Sequence, residues 1–247
     1  MRKSALVLGL NLVDPAAYGG WDGVLAGCCN DANSIADLLH AADFDDVRVL
    51  KNQEATVRNV KSQLLDFAKL VEPGDLFVLF RSSHGGQIAD LTGDECDGLD
   101  ETACLYDGMI VDDELYSIIG QFKAGVRVLV ITDACHAETG IKGKEKSRAL
   151  KRFSKSYKRV RKNKDPEASI IEIAACSETG TACDGDKNGL FTGALLTVWD
   201  SGSFAGGHKL FARKIGRLIH TYQTVKLNTY GKLDMAFLVS KPFCTIE

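Results

Sequence analysis

Four apolar runs, each closing on a turn rich in reactive side chains, do most to restrict how this chain folds. They are Ala5 to Asn11, Asp75 to Phe80, Val126 to Thr132 and Ser169 to Ala175. A strand with one face in water alternates apolar and polar residues, whereas a strand covered on both faces reads as a nearly continuous apolar run. Between these runs lie helical stretches. Asp31 to Ala41 carries Ile35, Leu38 and Leu39 at helical spacing, and Thr56 to Val71 sets Val57, Val60, Leu64, Leu65, Ala68 and Val71 on one stripe. Val47 to Leu50 adds a short strand. Further helices are predicted from Asp112 to about Phe122, over Phe191–Trp199 and over Leu210–Val225, with a last strand at Ala236–Val239. Strands alternating with amphipathic helices predict an α/β fold, a three-layer α/β/α sandwich around a mostly parallel sheet. No internal repeat or Pro/Ser-rich linker divides the chain, so residues 1–247 read as a single domain.

Composition supports this and excludes other classes. With 247 residues, 45 % of them hydrophobic, the chain can bury a core without disulfide staples and is too apolar for disorder. A net charge of −3 argues against a general nucleic-acid polycation. No run reaches the roughly 18 apolar residues of a membrane span. Arg2 and Lys3 precede a short apolar run, but Asn11 and Asp14 follow at once and no small-residue cleavage site closes it. A cytoplasmic protein with reduced thiols is therefore expected. The eight cysteines include no CxxC pair, and most read as small buried hydrophobes.

In open α/β sheets, sites form beyond the carboxyl ends of the strands. Three such ends carry reactive residues here: His84, Cys135 and the Cys176–Ser177 turn. A catalytic cysteine acts as a thiolate, and a His partner takes its proton and later protonates the leaving amine. Cys135 follows His84 by 51 positions, at the end of a separate strand. Gly85 and Gly86 allow backbone N–H groups to approach a substrate carbonyl. A turn histidine and a buried thiol are the plainer readings of the two residues. Asp31 and Asp133 sit at a helix start and a strand end, where an N-cap and a turn residue are the plainer readings.

Two charged stretches flank the Cys135 strand. Between Gln87 and Leu115 lie ten acids and no Lys or Arg, a crowd of hard oxygen ligands that suits Ca²⁺ or forms a solvated loop. From Lys142 to Lys164 lie 12 Lys/Arg opposed only by Glu145, which suits a nucleic-acid patch, a surface loop or a cleavage segment.

The sequence resembles the metacaspases and their prokaryotic caspase-like relatives from Ala5 to Phe237. The motifs that carry the resemblance are Leu25-Ala26-Gly27-Cys28-Cys29-Asn30-Asp31-Ala32, Ser82-Ser83-His84-Gly85-Gly86-Gln87 and Asp133-Ala134-Cys135-His136. Asp100-Glu101, Ile110 to Leu115, Ala174 to Thr179 and Gly189-Leu190-Phe191-Thr192 continue it. The resemblance implies a caspase-like fold and a cysteine endopeptidase with His84 as the catalytic histidine and Cys135 as nucleophile. The oxyanion donors would be the backbone N–H groups of Gly85 and Cys135. Asp31 and Asp133 would line the pocket for the residue before the scissile bond (P1) and select Arg or Lys, with Ser82 facing it and Ser177 on the opposite wall. Such a peptidase acts on protein or peptide substrates with Arg or Lys at P1, with no membrane or nucleic-acid partner, and is expected to be a monomer.

In that family, activating calcium is held by acids matching Asp100, Asp112 and Asp113, and a further family ligand falls near Lys142. Caspase-like chains also carry a cleavable loop where the basic stretch, residues 142–166, stands here. The chain departs from the family at Ser83, where glycine is usual, and at Ala137-Glu138, where Ser-Gly is usual. The rival readings are a catalytically silent caspase-like interaction module and a nucleic-acid binder acting through the basic stretch.

Overall fold

The computed structural model describes residues 1–89, 99–136, 166–176 and 187–246. The apolar runs form the parallel centre of a sheet. β1 (Lys3–Gly9), β2 (Asp46–Lys51), β3 (Leu76–Ala89), β6 (Arg127–His136), β7 (Ser169–Cys176) and β8 (Thr224–Gly231) lie in the order β2-β1-β3-β6-β7-β8. All neighbours on this path are parallel except β7 and β8. β4 (Leu99–Leu105) and β5 (Gly108–Val111) form a hairpin that pairs with the outer half of β3.

Side-chain alternation then divides the core. Val78 and Phe80 of β3, Leu129 and Ile131 of β6, and Ile171 and Ile173 of β7 pack against α1 (Cys28–Ala41), α4 (Leu190–Trp199) and α5 (His208–Ile219). Phe77, Leu79, Val128, Val130 and Ile170 face the other way, onto α2 (Val57–Leu70) and α3 (Asp112–Ile119). Because both faces are covered, neither shows the polar half of an alternating strand. Thr56 starts α2 by accepting the Asn59 N–H on its side chain at 3.2 Å. Gly9 lets α1 lie close to the end of β1: a Cβ there would stand 2.5 Å from the Cys28 carbonyl oxygen and 2.6 Å from the Ala32 Cβ.

Two expected elements are corrected. Met235–Val239 is a short helix, α6, not a strand: Asp234 caps it by accepting the Ala236 and Phe237 N–H groups at 2.9 and 3.3 Å. The last strand is β8, part of which was expected to continue the preceding helix. As an edge strand it keeps only a partly buried alternation, with Val225 and Leu227 against the core. The acidic stretch also holds a hairpin rather than a loop alone. The basic run from Lys142 to Lys164 lies outside the described residues. Among those described, no helix is long and apolar enough to cross a membrane.

His208, at the start of α5, is fully buried, its ring 4.9 Å from that of Phe237. Burial pushes its pKa down to about 4. The unfolded chain therefore binds this proton at higher pH than the folded one, and stability falls as pH drops from about 6.5 to 4. His208→Leu should remove about 3 kcal/mol of that acid-side loss. Urea denaturation of both proteins at pH 7 and pH 4 checks it.

Candidate active site

The β3–β6 ladder builds the site. It runs in register from Leu76 opposite Arg127 to Gly85 opposite His136, which puts Ser82 beside Asp133 and His84 beside Cys135. Neighbouring strands lie about 4.8 Å apart, so the two reactive residues share one end of the sheet. The description of Cys135, as of His136, Cys176 and Asp100, is confined to the backbone.

His84 is held by the segment after β1. Its Nε2 lies 3.1 Å from the Gly23 carbonyl oxygen, and the Trp21 ring tilts over the imidazole at 4.8 Å. A carbonyl only accepts, so the contact assigns the proton to Nε2 and leaves Nδ1 as the basic nitrogen of the neutral ring. The segment is itself pinned by Tyr18, a fully buried ring packed edge-on against Trp21. The Tyr18 hydroxyl lies 2.7 Å from the Leu105 carbonyl oxygen and 2.6 Å from that of Gly108, at the β4–β5 turn. Burial raises its pKa, so it stays a neutral phenol. The sequence held no sign of Tyr18, Trp21 or Gly23 in this role.

The two acids converge on the α1 side of the sheet. Asp31 is 1 % exposed and Asp133 8 %. Asp31 does not cap α1; Gly27 holds that position, and Asp31 stands one turn inside. Its Oδ2 accepts the Ser82 hydroxyl at 2.8 Å. Its Oδ1 accepts the Gly189 N–H at 2.8 Å and the Asn188 side-chain amide at 3.0 Å. Asp133 is no turn residue either: from within β6 its Oδ2 accepts the Thr192 N–H at 3.1 Å and the Thr192 hydroxyl at 2.7 Å. A carboxylate at the first turn of α4 also complements the helix dipole. Gly189 stands between the two acids. A Cβ on it would lie 2.9 Å from Asp133 Oδ2 and 3.0 Å from Asp31 Oδ2. Asn188, Gly189 and Thr192 complete the polar site; the Gly189–Thr192 motif was visible in the sequence, but not that it bonds the acids.

Other expected residues lie apart from this cluster. Asp112 and Asp113 open α3 and line a cavity of about 590 Å³ on the opposite face of the sheet. The β4–β5 register, with Thr102 opposite Val111, brings the Asp100 backbone to the same end of the hairpin. Both are hard oxygen donors, but among the described residues no three His, Cys, Asp or Glu side chains gather as a metal site requires. Ser177 lies outside the described residues.

A three-layer sandwich with His and Cys at neighbouring strand ends has the architecture of a caspase-like cysteine peptidase. Comparison with known proteins agrees. The caspase-domain family model (Peptidase_C14) matches residues 2–218, and the chain belongs to that family of cysteine peptidases. Metacaspase-1 of Sclerotinia sclerotiorum is 35 % identical over 154 residues, covering 57 % of this chain and 34 % of its own length. Metacaspase-1 of Saccharomyces cerevisiae is 34 % identical over 152 residues, covering 56 % and 34 %. The chain thus spans about a third of the length of these relatives. A solved structure of a Geobacter sulfurreducens protein matches with a TM-score of 0.89 at 39 % identity, covering 100 % of both chains.

Gly189 has φ −55° and ψ 153°, which any residue adopts, so only the two carboxylates oppose a side chain there. Gly189→Ala should cost about 2 kcal/mol through overpacking. Thr192→Val, which removes one donor from a buried carboxylate, should cost about 1.5 kcal/mol. Urea midpoints at constant slope measure both.

Proposed function

We propose that the chain is a metacaspase-type cysteine endopeptidase that cuts peptide bonds after Arg or Lys. His84 Nδ1 takes the Cys135 thiol proton, and the thiolate attacks the scissile carbonyl carbon. The backbone N–H groups of Gly85 and Cys135 hold the resulting oxyanion. The imidazolium then protonates the leaving amine, and water hydrolyses the thioester to release the acid and restore the thiol. The pairing of His84 with Cys135 across β3 and β6, and the tautomer that the Gly23 carbonyl favours, support these roles.

The observation that carries the Arg/Lys reading is the pair of buried carboxylates, Asp31 and Asp133, facing one another across Gly189. Two like charges held close favour a cationic guest, and a guanidinium bonds two carboxylates at once. Ser82 orients Asp31 from below. Ser177 is assigned to the far wall on the family pattern alone. The basic stretch, with 12 Lys/Arg, is an abundant source of such P1 residues and supports self-cleavage there. Calcium rests on the family pattern alone, in which Asp112 and Asp113 would hold it with Asp100.

Purified protein should cleave an Arg-P1 peptide and not its Asp-P1 counterpart. Cys135→Ala should abolish turnover by more than about 10⁴-fold and leave the wild type's own fragments absent on a gel. Asp133→Asn should lower kcat/KM for Arg and Lys substrates by about 50-fold, as expected for a lost charged hydrogen bond. No turnover on Arg, Lys or Asp peptides, with or without calcium, would overturn the peptidase reading. For calcium, Tm should rise on adding Ca²⁺ and not in Asp112→Ala; an equal Tm with Ca²⁺ and with chelator would remove the metal.

A further inference from the structure

The glycine that the family usually has before its histidine is Ser83 here, and the structure gives this serine a partner. Residues alternate along β3: Ser82 reaches Asp31 on the α1 side, and Arg81 points to the opposite face. There Arg81 lines the cavity of about 590 Å³ together with Thr132, Glu172 and Lys226. Its Nη1 donates to the Ser83 Oγ at 2.8 Å and to the His84 carbonyl oxygen at 3.2 Å, and the Ser83 hydroxyl donates to that same oxygen at 3.1 Å. The three groups close a triangle. Its target is the backbone of the proposed general base.

We propose that Arg81 and Ser83 act as positioning residues, clamping the His84 carbonyl so that the His84–Gly85 peptide is held in one orientation for catalysis. The proposal rests on the peptidase reading above. A peptide unit is planar, so fixing its carbonyl oxygen also fixes the direction of its N–H. The N–H in question is that of Gly85, assigned to the oxyanion. Donors on the carbonyl also polarise the amide, which makes its N–H a stronger donor. The Cα of His84 belongs to the same unit, so the clamp sets the base of the imidazole while the Gly23 carbonyl sets its tip. A glycine before the histidine would give Arg81 only the carbonyl to bond.

A half-buried guanidinium is costly to desolvate, and here it is used on a serine and a carbonyl rather than on a carboxylate. Burial draws the Arg81 pKa down, opposed by the nearby Cys104 and Glu172, and the group stays cationic. The arrangement works from the face opposite the P1 acids, so it affects the chemical step without touching the substrate pocket.

The test compares Ser83→Ala, Ser83→Thr, Arg81→Met and Arg81→Lys with the wild type on an Arg-P1 peptide. Each protein is also titrated with an Arg peptide aldehyde, which forms a tetrahedral adduct on the thiol. Ser83→Ala should lower kcat about tenfold and Arg81→Met about a hundredfold, with KM within twofold. The aldehyde inhibition constant should rise by the same factors as kcat falls, because adduct and transition state share the oxyanion. Ser83→Thr should restore kcat to within twofold. Arg81→Lys, which keeps the charge but loses the planar fork, should recover only part. Ser83→Ala is a small change, so it decides the matter should Arg81→Met fail to fold by circular dichroism. If Ser83→Ala keeps its kcat, or if KM rises while kcat and the aldehyde constant stay put, the clamp is overturned and the peptidase reading stands. An inert wild type overturns the peptidase reading and the clamp with it.

Discussion

The parallel register between β3 and β6 is the constraint on which the site depends. A slip of one residue would turn Asp133 to the α3 side, bring Thr132 into its place and set Ala134 opposite His84. In many sheets the apolar pattern forbids such a slip. Here it does so weakly, because both faces of β6 are apolar: Leu129 and Ile131 lie on one side, Val128 and Val130 on the other. The polar end of the strand supplies what the core lacks. Asp133 finds two donors on Thr192 only in the native register, and Ser82 finds Asp31 only from the α1 side of β3. A buried carboxylate without donors is far more costly than a mispacked valine. The acids assigned to substrate binding thus also fix the register that pairs His84 with Cys135.

These acids tie distant parts of the chain to one point. Asp31 belongs to α1, Ser82 to β3, Asp133 to β6, and Gly189 and Thr192 to the start of α4. The α1 contribution relies on the small Gly9, which lets the helix settle on the strand end. The α4 contribution relies on Gly189, whose missing side chain leaves room between the two carboxylates. The proposed pocket and the fold draw on the same hydrogen bonds, so that reading couples substrate selection to stability. The opposite face is organised differently. Arg81 and Ser83 hold backbone rather than ligand, and they act on the other end of the same His84 residue.

How far this was legible in the sequence follows from range. Apolar runs are local and long, so β1, β3, β6 and β7 were readable with their chemically loaded ends. Thr56 was readable as the start of a helix, because its capping bond spans only to Asn59. Asp31 was not: its position before an apolar-periodic stretch suggested a cap, while its partners Ser82 and Gly189 lie 51 and 158 positions away. β8 was hidden because an edge strand needs only one buried stripe, and its polar residues continue the look of the helix before it. Met235–Val239 misled in the opposite direction, since five residues are too few to show a helical period and Asp234 was needed to reveal it. Ser83 was visible only as a departure from a family pattern; Arg81, which gives it meaning, was not visible at all.

The cysteines show why the assignment of the nucleophile needs this geometry. Cys104 lies close to a cation, Arg81, which by itself would favour a thiolate. Yet burial wins, and its pKa is pushed up to about 12. Proximity to positive charge is therefore not enough to activate a thiol in this fold; the thiol also needs a base and contact with solvent. Cys104 stands in the middle of a hairpin strand with neither, and it behaves as a small hydrophobe against Tyr18 and Met109. Cys135 stands at the end of β6, directly across from an imidazole whose Nε2 is already committed to a carbonyl. With Nε2 committed, Nδ1 is the accepting nitrogen of the neutral ring, and the β3–β6 register sets the backbone of Cys135 opposite that of His84.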